Sequence, residues 1–299
     1  MKFPTPHSVD TLQAKIHYFE LGNLAGTPVI LLHGFPDSPI AWAPVIDRLD
    51  TRKLRLIVPY LRGYGPTTVL SDDLIGGQEA ALGHDLLLFA NALGLERFHL
   101  AGHDWGARAS YAACVFAPNR ILSLLAVATP YVMYGGKDYP PEQINANWYQ
   151  WYFQLQLGQK ALTENAQAFC RQLWRSWSPR WNFANRDFIA AAEAWKNPQF
   201  VPTVLHYYRT RWGGALSLRA YAELQAVLNA KPKAKIAVPS IYVQGAEDAC
   251  DLPPCSEHQA SFFTAPYKRI LLKGSGHFPH REDPKTIASH LSHLIRQHS

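Results

Sequence analysis

Five residues, Gly102–Gly106, constrain this chain more than any other stretch. They read Gly-His-Asp-Trp-Gly, follow a largely apolar run at Phe98–Ala101 and precede a run of mostly small residues, Ala107–Ala113, that favours a helix. Glycines permit a turn between strand and helix that is too tight for residues with side chains. The stretch therefore predicts a sharp strand–turn–helix unit that presents its middle residue, Asp104, at the end of a strand.

Short apolar or alternating runs that predict strands alternate with stretches of helical periodicity along most of the chain. The predicted strands are 14–21, 28–32, 54–59, 98–101, 121–129, 240–245 and 268–273. The predicted helices include 38–49, 78–93 and 284–296. Strands that alternate with helices predict the α/β class, with a mostly parallel sheet covered by helices on both faces.

The pattern changes between residues 131 and 238, where long helical stretches carry a dense population of aromatic residues. We interpret 131–238 as a helical cap inserted into a core domain formed by 1–130 and 239–299. Most of these aromatic side chains are expected to serve packing, so only a few would line a pocket. Seven of the nine tryptophans lie in this segment: Trp148, Trp151, Trp174, Trp177, Trp181, Trp195 and Trp212.

Composition excludes several functional classes. A chain of 299 residues with 47% hydrophobic and 17% charged residues is typical of an ordinary globular protein. Its net charge of +6 is dispersed, and without a basic cluster or a known module we expect no nucleic-acid partner. Met1–His17 lacks an apolar signal-peptide region, and no apolar run approaches the roughly 18 residues of a membrane span. We therefore expect no membrane attachment and a cytoplasmic location.

The cysteines give little support for a disulfide or a metal site. Cys250 and Cys255 are close in sequence and could form a disulfide or help to bind a metal. They lack both the CxxC spacing and a neighbouring set of histidine and cysteine ligands, so we expect reduced thiols. The four cysteines are Cys114, Cys170, Cys250 and Cys255.

The identity of Asp104 indicates the type of chemistry. A serine there would attack the carbonyl of an ester or amide, whereas a carboxylate attacking such a carbonyl would form an anhydride without gain. Against a saturated carbon, a carboxylate can displace a leaving group and form an alkyl ester, which water must then break. The structural alternative is a helix N-cap, a position that favours aspartate.

Breaking the ester requires a base, and His277 follows the last predicted strand in a glycine-rich loop. His280, three residues further along the chain, is the alternative candidate for this base. Asp248, just beyond the preceding strand, would hold the His277 tautomer and stabilise the imidazolium. Glu247 and Asp251 are alternatives to Asp248, and a solvated acidic loop would have the same sequence.

Attack of water on the ester would create an oxyanion, which needs backbone N–H donors. The N–H of Trp105, directly after Asp104, is predicted to be one donor. The N–H of Phe35, in the turn His33–Pro36 after an earlier strand, is predicted to be the second. A purely structural turn could have the same sequence as His33–Pro36.

These features resemble the α/β-hydrolase fold family and, within it, the soluble epoxide hydrolases. The order nucleophile, acid, histidine along the chain is that of the family's triad. The resemblance implies conversion of an epoxide and water to a vicinal diol through an alkyl-aspartate ester, with no metal or organic cofactor. The expected partner is a small epoxide, and the oligomeric state, monomer or homodimer, is open. The similar segments are His33–Pro36, Arg62–Gly65, Gly102–Gly106, Gly245–Asp248 and Gly276–His277.

The resemblance to epoxide hydrolases further implies two cap tyrosines whose hydroxyls hold and protonate the epoxide oxygen. Two aromatic segments of the predicted cap are similar to the family stretches and place these residues at Tyr149 and Tyr208. Tyr152 and Tyr207 are close alternatives. The departing alkoxide is strongly basic, so an acid with a pKa of about 10 would lower the barrier.

Dehalogenases share similar machinery and provide the alternative interpretation. Haloalkane dehalogenases also have tryptophan after the nucleophile, but they usually add a second side-chain donor, often asparagine, at the position of Phe35. Fluoroacetate dehalogenases have arginine at the position of Trp105 and histidine at that of Tyr149, although Arg108 remains here. These departures favour an epoxide substrate. A ligand-binding relative without catalysis is a further alternative, whereas a serine-type esterase is disfavoured by Asp104 itself.

Overall fold

The computed structural model describes residues 3–299, so Met1 and Lys2, at the start of the predicted core, lie outside the described residues. Nine strands of the described chain form one mostly parallel sheet, which confirms the predicted fold class. The strands are β1 His7–Asp10, β2 Ala14–Gly22, β3 Thr27–Leu32, β4 Leu54–Pro59, β5 Thr68–Val69, β6 Phe98–His103, β7 Ile121–Val127, β8 Ser240–Gly245 and β9 Tyr267–Leu272.

The strand order is β1-β2-β4-β3-β6-β7-β8-β9, with β5 paired to β2. From β4 to β9 along this order every pairing is parallel, whereas β1, β2 and β5 pair antiparallel with their neighbours. All residues of β6 and β8 are buried, as expected for strands covered on both faces. Parallel strands end at the same edge, so the loops after β3, β6, β8 and β9 meet there.

Helices cover the sheet and fill the segment between β7 and β8. The α-helices are α1 Ala43–Ile46, α2 Glu79–Ala92, α3 Trp105–Phe116, α4 Pro141–Ala146, α5 Trp148–Tyr152, α6 Gln156–Trp177, α7 Asn185–Ala192, α8 Phe200–Arg211, α9 Ala222–Asn229, α10 Pro279–Glu282 and α11 Pro284–His298. The predicted helix 38–49 is wrong as one element. It is a 3₁₀ turn, Pro39–Trp42, followed by the short α1, because a proline begins the turn and another lies within α1.

The segment predicted to be a cap contains the helices α4 to α9, and α6 is interrupted at Asn165. Aromatic packing inside it is extensive. Trp174 stacks on Trp181 with ring centroids 5.2 Å apart and meets Phe188 edge-on at 5.2 Å. The division of the chain into a core and a cap with these boundaries stays a prediction.

The closing helix α11 packs against the sheet through four buried aliphatic residues, as its spacing predicts: Ile287, Leu291, Leu294 and Ile295. Its N-terminus is capped by Asp283, whose carboxylate accepts a hydrogen bond from the Thr286 N–H at 3.2 Å. Within residues 3–299, no helix combines the length and apolar character needed to cross a membrane. All four cysteines are buried and free.

Candidate active site

The turn after β6 has the strained geometry that the sequence predicts. Asp104 has φ 52° and ψ −115°, a conformation that costs a residue with a side chain about 1–3 kcal/mol. Gly106 is required because a Cβ there would collide with the carbonyl oxygen of Leu32. Although Asp104 sits at the N-cap of α3, its side chain makes no capping hydrogen bond. The structural alternative of a helix cap is therefore wrong, and the carboxylate is available for another purpose.

The Asp104 carboxylate is buried and held between two groups. One oxygen, Oδ1, accepts a hydrogen bond from the Phe35 N–H at 2.7 Å, and the other, Oδ2, lies 3.7 Å from Nε2 of His277. A Cβ on Gly34 would come within 2.5 Å of this carboxylate, so only glycine allows such a close approach of the two loops.

The charge state of Asp104 follows from its neighbours. Burial alone would raise the pKa of this carboxyl, but His277, His103 and the backbone N–H of Trp105 together lower it below its ordinary value. Both predicted oxyanion donors, Phe35 and Trp105, thus act on the same carboxylate. Asp104 is ionised at neutral pH.

His277 joins the two acids of the site. Its Nδ1–H donates to the two Asp248 oxygens at 2.9 and 3.0 Å, while its Nε2, directed toward Asp104, has no hydrogen-bond partner among the described residues. Burial alone would lower the pKa of His277, but Asp248 and Asp104 raise it well above its usual value. The imidazole is therefore oriented by one carboxylate and faces the other.

The structure distinguishes Asp248 from its alternatives. Burial raises the pKa of Asp248 to about 6, and its Oδ1 also accepts backbone N–H bonds from Cys250 at 2.9 Å and Asp251 at 3.1 Å. Glu247 instead pairs with Arg180 at 3.0 Å, at the protein surface. The Asp251 side chain accepts from the Thr129 hydroxyl at 2.9 Å. Asp248 is thus the acid brought to His277.

Tyr149 and Tyr208 lie together over the same site. Their ring centroids are 5.3 Å apart, and the Tyr208 ring is 5.8 Å from that of Phe35. The Tyr208 hydroxyl accepts the indole N–H of Trp105 at 3.1 Å, and the Tyr149 hydroxyl accepts from the Gln150 amide at 2.9 Å. Burial raises the pKa of both phenols well above the ordinary value, so both hydroxyls keep their protons as donors.

The alternative tyrosines are placed differently. Tyr152 is half-buried and stacks on Phe169 with centroids 6.0 Å apart. Tyr207 stacks flat on the indole of Trp105 at 4.3 Å. Tyr149 and Tyr208 are therefore the pair that shares the site with Asp104.

Trp177 contacts the site, although sequence reasoning treats it only as one of many aromatic residues. Its ring lies 5.0 Å from His277 and 4.9 Å from Tyr149, and its carbonyl accepts the backbone N–H of His277 at 3.2 Å. Its indole N–H is buried without a hydrogen-bond partner in the described part of the chain. Nothing in its local sequence separates it from the other tryptophans, because the contact depends on the path of α6.

A buried ion pair connects two of the loops that form the site. Asp37, which follows the Phe35 turn, accepts two hydrogen bonds from Arg281 at 2.6 and 2.7 Å. Arg281 is in the helix that follows the His277 loop, so the pair connects the turn at Phe35 to that loop. His280, the alternative to His277, lies 3.9 Å from Asp37, and its ring packs against Trp42 rather than facing Asp104 and Asp248 together.

The Arg62–Gly65 segment, part of the resemblance, has a structural explanation. Arg62 is fully buried, pairs with Asp85 at 2.6 and 2.7 Å, and donates to the Tyr221 hydroxyl at 2.6 Å. This network joins the loop after β4 to helix α2 and to the segment between β7 and β8. In residues 3–299, no group of three or more potential metal ligands lies together.

Comparison with known proteins agrees with this geometry. Residues 27–284 match the family model of the alpha/beta hydrolase fold. Epoxide hydrolase A of Mycobacterium tuberculosis is 25% identical, with 99% of this chain and 98% of that protein covered. Bifunctional epoxide hydrolase 2 of Sus scrofa is 25% identical over 91% of this chain, which spans about half (52%) of the pig protein.

A solved structure from Klebsiella pneumoniae, provisionally named an epoxide hydrolase, superimposes with a TM-score of 0.90 at 33% identity. The alignment covers 98% of both chains. The predicted resemblance to the hydrolase family, and to epoxide hydrolases within it, is confirmed. The chain belongs to the α/β hydrolase fold family.

Proposed function

We propose that this protein hydrolyses an epoxide to a vicinal diol through an ester of Asp104. The observation that carries the proposal is the pair of buried tyrosine hydroxyls, Tyr149 and Tyr208, beside a buried nucleophilic carboxylate. The charge of Asp104 is near enough to raise the pKa of both phenols in addition to burial. A nucleophile and two neutral proton donors around one space suit a three-membered ring that opens by displacement.

In the first step, Oδ2 of Asp104 attacks an epoxide carbon and the carbon–oxygen bond of the ring breaks. Tyr149 or Tyr208 transfers its proton to the departing oxygen, which becomes a hydroxyl. Oδ1 is held by the Phe35 N–H and becomes the carbonyl oxygen of the ester. The oxygen that later takes the negative charge is therefore already in its donor site.

In the second step, His277 takes a proton from water, which attacks the carbonyl carbon of the ester. Its Nε2 has no protein partner within residues 3–299 and lies 3.7 Å from Oδ2, so it is free to bind that water. The tetrahedral intermediate collapses, the diol oxygen takes the proton from His277, and the proton left on Asp104 restores the tyrosine. Overall, one water is added to one epoxide.

The dehalogenase alternative has less support. A halide would need the indole N–H of Trp105, and this N–H already donates to the Tyr208 hydroxyl. Phe35 offers no side-chain donor. The named relatives favour epoxide chemistry as well. A small epoxide as partner, a cytoplasmic location and a helical cap over 131–238 complete the proposal.

Single turnover in ¹⁸O-labelled water tests the proposal, with enzyme in excess over styrene oxide. Label is expected in the Asp104 carboxylate, located by mass spectrometry of the peptide that contains it, because water attacks the ester carbonyl. Enzyme kept in labelled water without the epoxide serves as the control and should remain unlabelled. Label found only in the diol would refute the ester route. Halide release from 1-bromobutane without diol formation from any epoxide would favour the dehalogenase.

A further inference from the structure

A cavity of about 340 Å³ lies behind Trp105, and the stacked rings of Trp105 and Tyr207 form part of its wall. Its lining comes mainly from helices α2, α3, α8 and α9 and from the segments before α4 and after α9. Asp104, His277 and Tyr208 are not among the residues that line it. Since Trp105 borders both, the cavity adjoins the space in which the ester would form but does not include it.

The charges around this cavity are unbalanced. One carboxylate, Glu79, faces four cationic side chains: Arg108, Lys137, Arg211 and Lys233. Glu79 is bound by Arg108 at 2.6 Å, which neutralises that arginine. Burial alone would raise the pKa of Glu79, but Arg108, Arg211 and Lys233 lower it below its ordinary value, so all three surround it. Three positive charges remain in excess.

Arg211 and Lys233 donate their hydrogen bonds to neutral groups, and the one carboxylate near both, Glu79, is already bound by Arg108. Lys233 donates to the backbone carbonyl of Leu228, and Arg211 donates to the Tyr139 hydroxyl at 2.6 Å. Neither forms an ion pair within residues 3–299, although both are half-buried. Partly desolvated cations that share a single carboxylate are unfavourable unless a further anion joins them.

Gln78 supplies an independent observation. This side chain is buried and lines the cavity, and its Oε1 accepts the Leu218 N–H at 2.5 Å. That bond fixes the carboxamide so that Nε2 is the free end, and this amide group has no partner among the described residues. This buried donor is therefore available to an oxygen atom of a ligand in the cavity.

We propose that this cavity is a binding site for an organic anion, a carboxylate or a phosphate ester. Its charge is balanced by Arg211 and Lys233, and the Gln78 amide donates to one of its oxygens. A volume of about 340 Å³ suits a small acid or the acidic end of a larger molecule. The proposal does not depend on the reaction assigned to Asp104.

Isothermal titration calorimetry of the full chain tests this site, with sodium succinate and inorganic phosphate as probes and sodium chloride at matched ionic strength as the control. At least one probe is expected to bind saturably with a Kd of about 1 mM or tighter. No saturable binding of either probe would overturn the proposal. Because these titrations contain no epoxide, the result is independent of whether the proposed hydrolysis occurs.

Four substitutions assign the binding to the cavity. Lys233→Gln removes one charge and is expected to weaken binding about tenfold. Gln78→Glu keeps the acceptor for the Leu218 N–H but adds a repelling charge, so binding should be lost. Arg211→Lys keeps its charge and should retain most of the affinity, and Lys53→Gln, at an exposed site, should change nothing. Equal affinities in all four proteins would refute the site, provided their melting temperatures match.

The anion could be the acidic end of the substrate or a separate acid, and measurements of KM, which rest on the proposed epoxide hydrolysis, distinguish the two. An epoxide with a carboxylate several bonds from the ring is compared with its methyl ester. If the cavity holds the acidic end of the substrate, Lys233→Gln raises the KM of the acid and not that of the ester. If it holds a separate acid, succinate still binds and the two KM values respond alike to the substitution. Either pattern supports an anion site, whereas binding of succinate or phosphate that Lys233→Gln leaves unchanged excludes it.

Discussion

Replacing His277 by glutamine should stop the proposed reaction halfway. Attack by Asp104 does not use His277 as a base, and the Phe35 N–H that holds Oδ1 remains. The backbone N–H groups of Phe35 and Trp105 still stabilise the Asp104 carboxylate when the imidazole is absent, so it stays ionised at neutral pH. Alkylation therefore continues, while the glutamine amide cannot take a proton from water.

The size of the effect follows from the surroundings of His277. Its Nε2 lies 3.7 Å from the Asp104 carboxylate. The two other imidazoles near Asp104, those of His33 and His103, cannot replace it as a base because their Nε2 atoms already form hydrogen bonds with the backbone. The full contribution of a general base should then be lost, about 10²–10⁴-fold or about 3–5 kcal/mol. An ester that is normally hydrolysed in about 1 s would then last for about 10²–10⁴ s.

Intact-protein mass spectrometry measures this outcome directly. After incubation of His277→Gln with styrene oxide, the chain should gain one substrate mass, and digestion should locate the adduct on Asp104. His280→Gln, a buried histidine three residues away, is the matched control and should hydrolyse the epoxide without accumulating an adduct. Sustained turnover by His277→Gln, or an adduct on a residue other than Asp104, would show that the assignment of base or nucleophile is wrong.

Three further predictions test the acid, the nucleophile and the scaffold. Tyr208→Phe should lower the rate of ester formation about 10²-fold, measured by rapid quench, while Tyr152→Phe stays within about twofold of the parent. Because the pKa of Asp104 is held below its ordinary value, the rate of ester formation should not fall until the pH drops below about 4, in stopped-flow experiments with a stable epoxide. Arg62→Ala leaves a buried carboxylate unpaired and should lower the free energy of unfolding in urea by about 3–5 kcal/mol, whereas Arg52→Ala, at an exposed pair, should not change it.

The sheet was largely predictable because its central strands are short apolar runs that only a doubly covered parallel sheet accommodates. The structure adds β1 and β5, which the sequence did not indicate. β1 is four residues of mostly exposed, polar sequence at the edge of the sheet, and β5 has only two residues. Neither has the periodicity that identifies a strand, so both depend on pairing with β2.

Some residues of the site could be predicted from the sequence alone, and others could not. Asp104 and His277 follow from their positions after strands, because glycine-flanked loops at strand ends converge in parallel sheets. The choice of Asp248 over Glu247 depends on a loop that turns one carboxylate inward and leaves the other near Arg180. Sequence spacing contains no such information.

Residues far apart in the chain account for the rest of the site. Trp177 reaches His277 from the end of a 22-residue helix, and Asp37 pairs with Arg281 across 244 positions. No local pattern marks such pairs. The placement of Tyr149 and Tyr208 came from the family resemblance, and only the packing of α5 against α8 separates them from Tyr152 and Tyr207.

Electrostatics around Asp104 distinguishes three buried histidines. Burial lowers the pKa of His33 to about 4 and that of His103 to about 3, so both are neutral. His33 donates through Nδ1 to the Gly34 carbonyl, and His103 donates through Nε2 to the His277 carbonyl. His277 is buried as deeply, yet its pKa moves the other way because it faces two carboxylates.

The proposed reaction changes one of those two carboxylates. When Asp104 becomes an ester it loses its charge, and one of the causes that raise the pKa of His277 disappears. The imidazole then gives up its proton more readily, at the stage when a neutral base is needed to activate water. Asp248 keeps its charge and its bond to Nδ1 throughout, so the ring stays oriented while its acidity changes. In the proposed reaction, ester formation therefore shifts His277 toward the neutral form that hydrolysis of the ester requires, although the larger effect of Asp248 on its pKa remains.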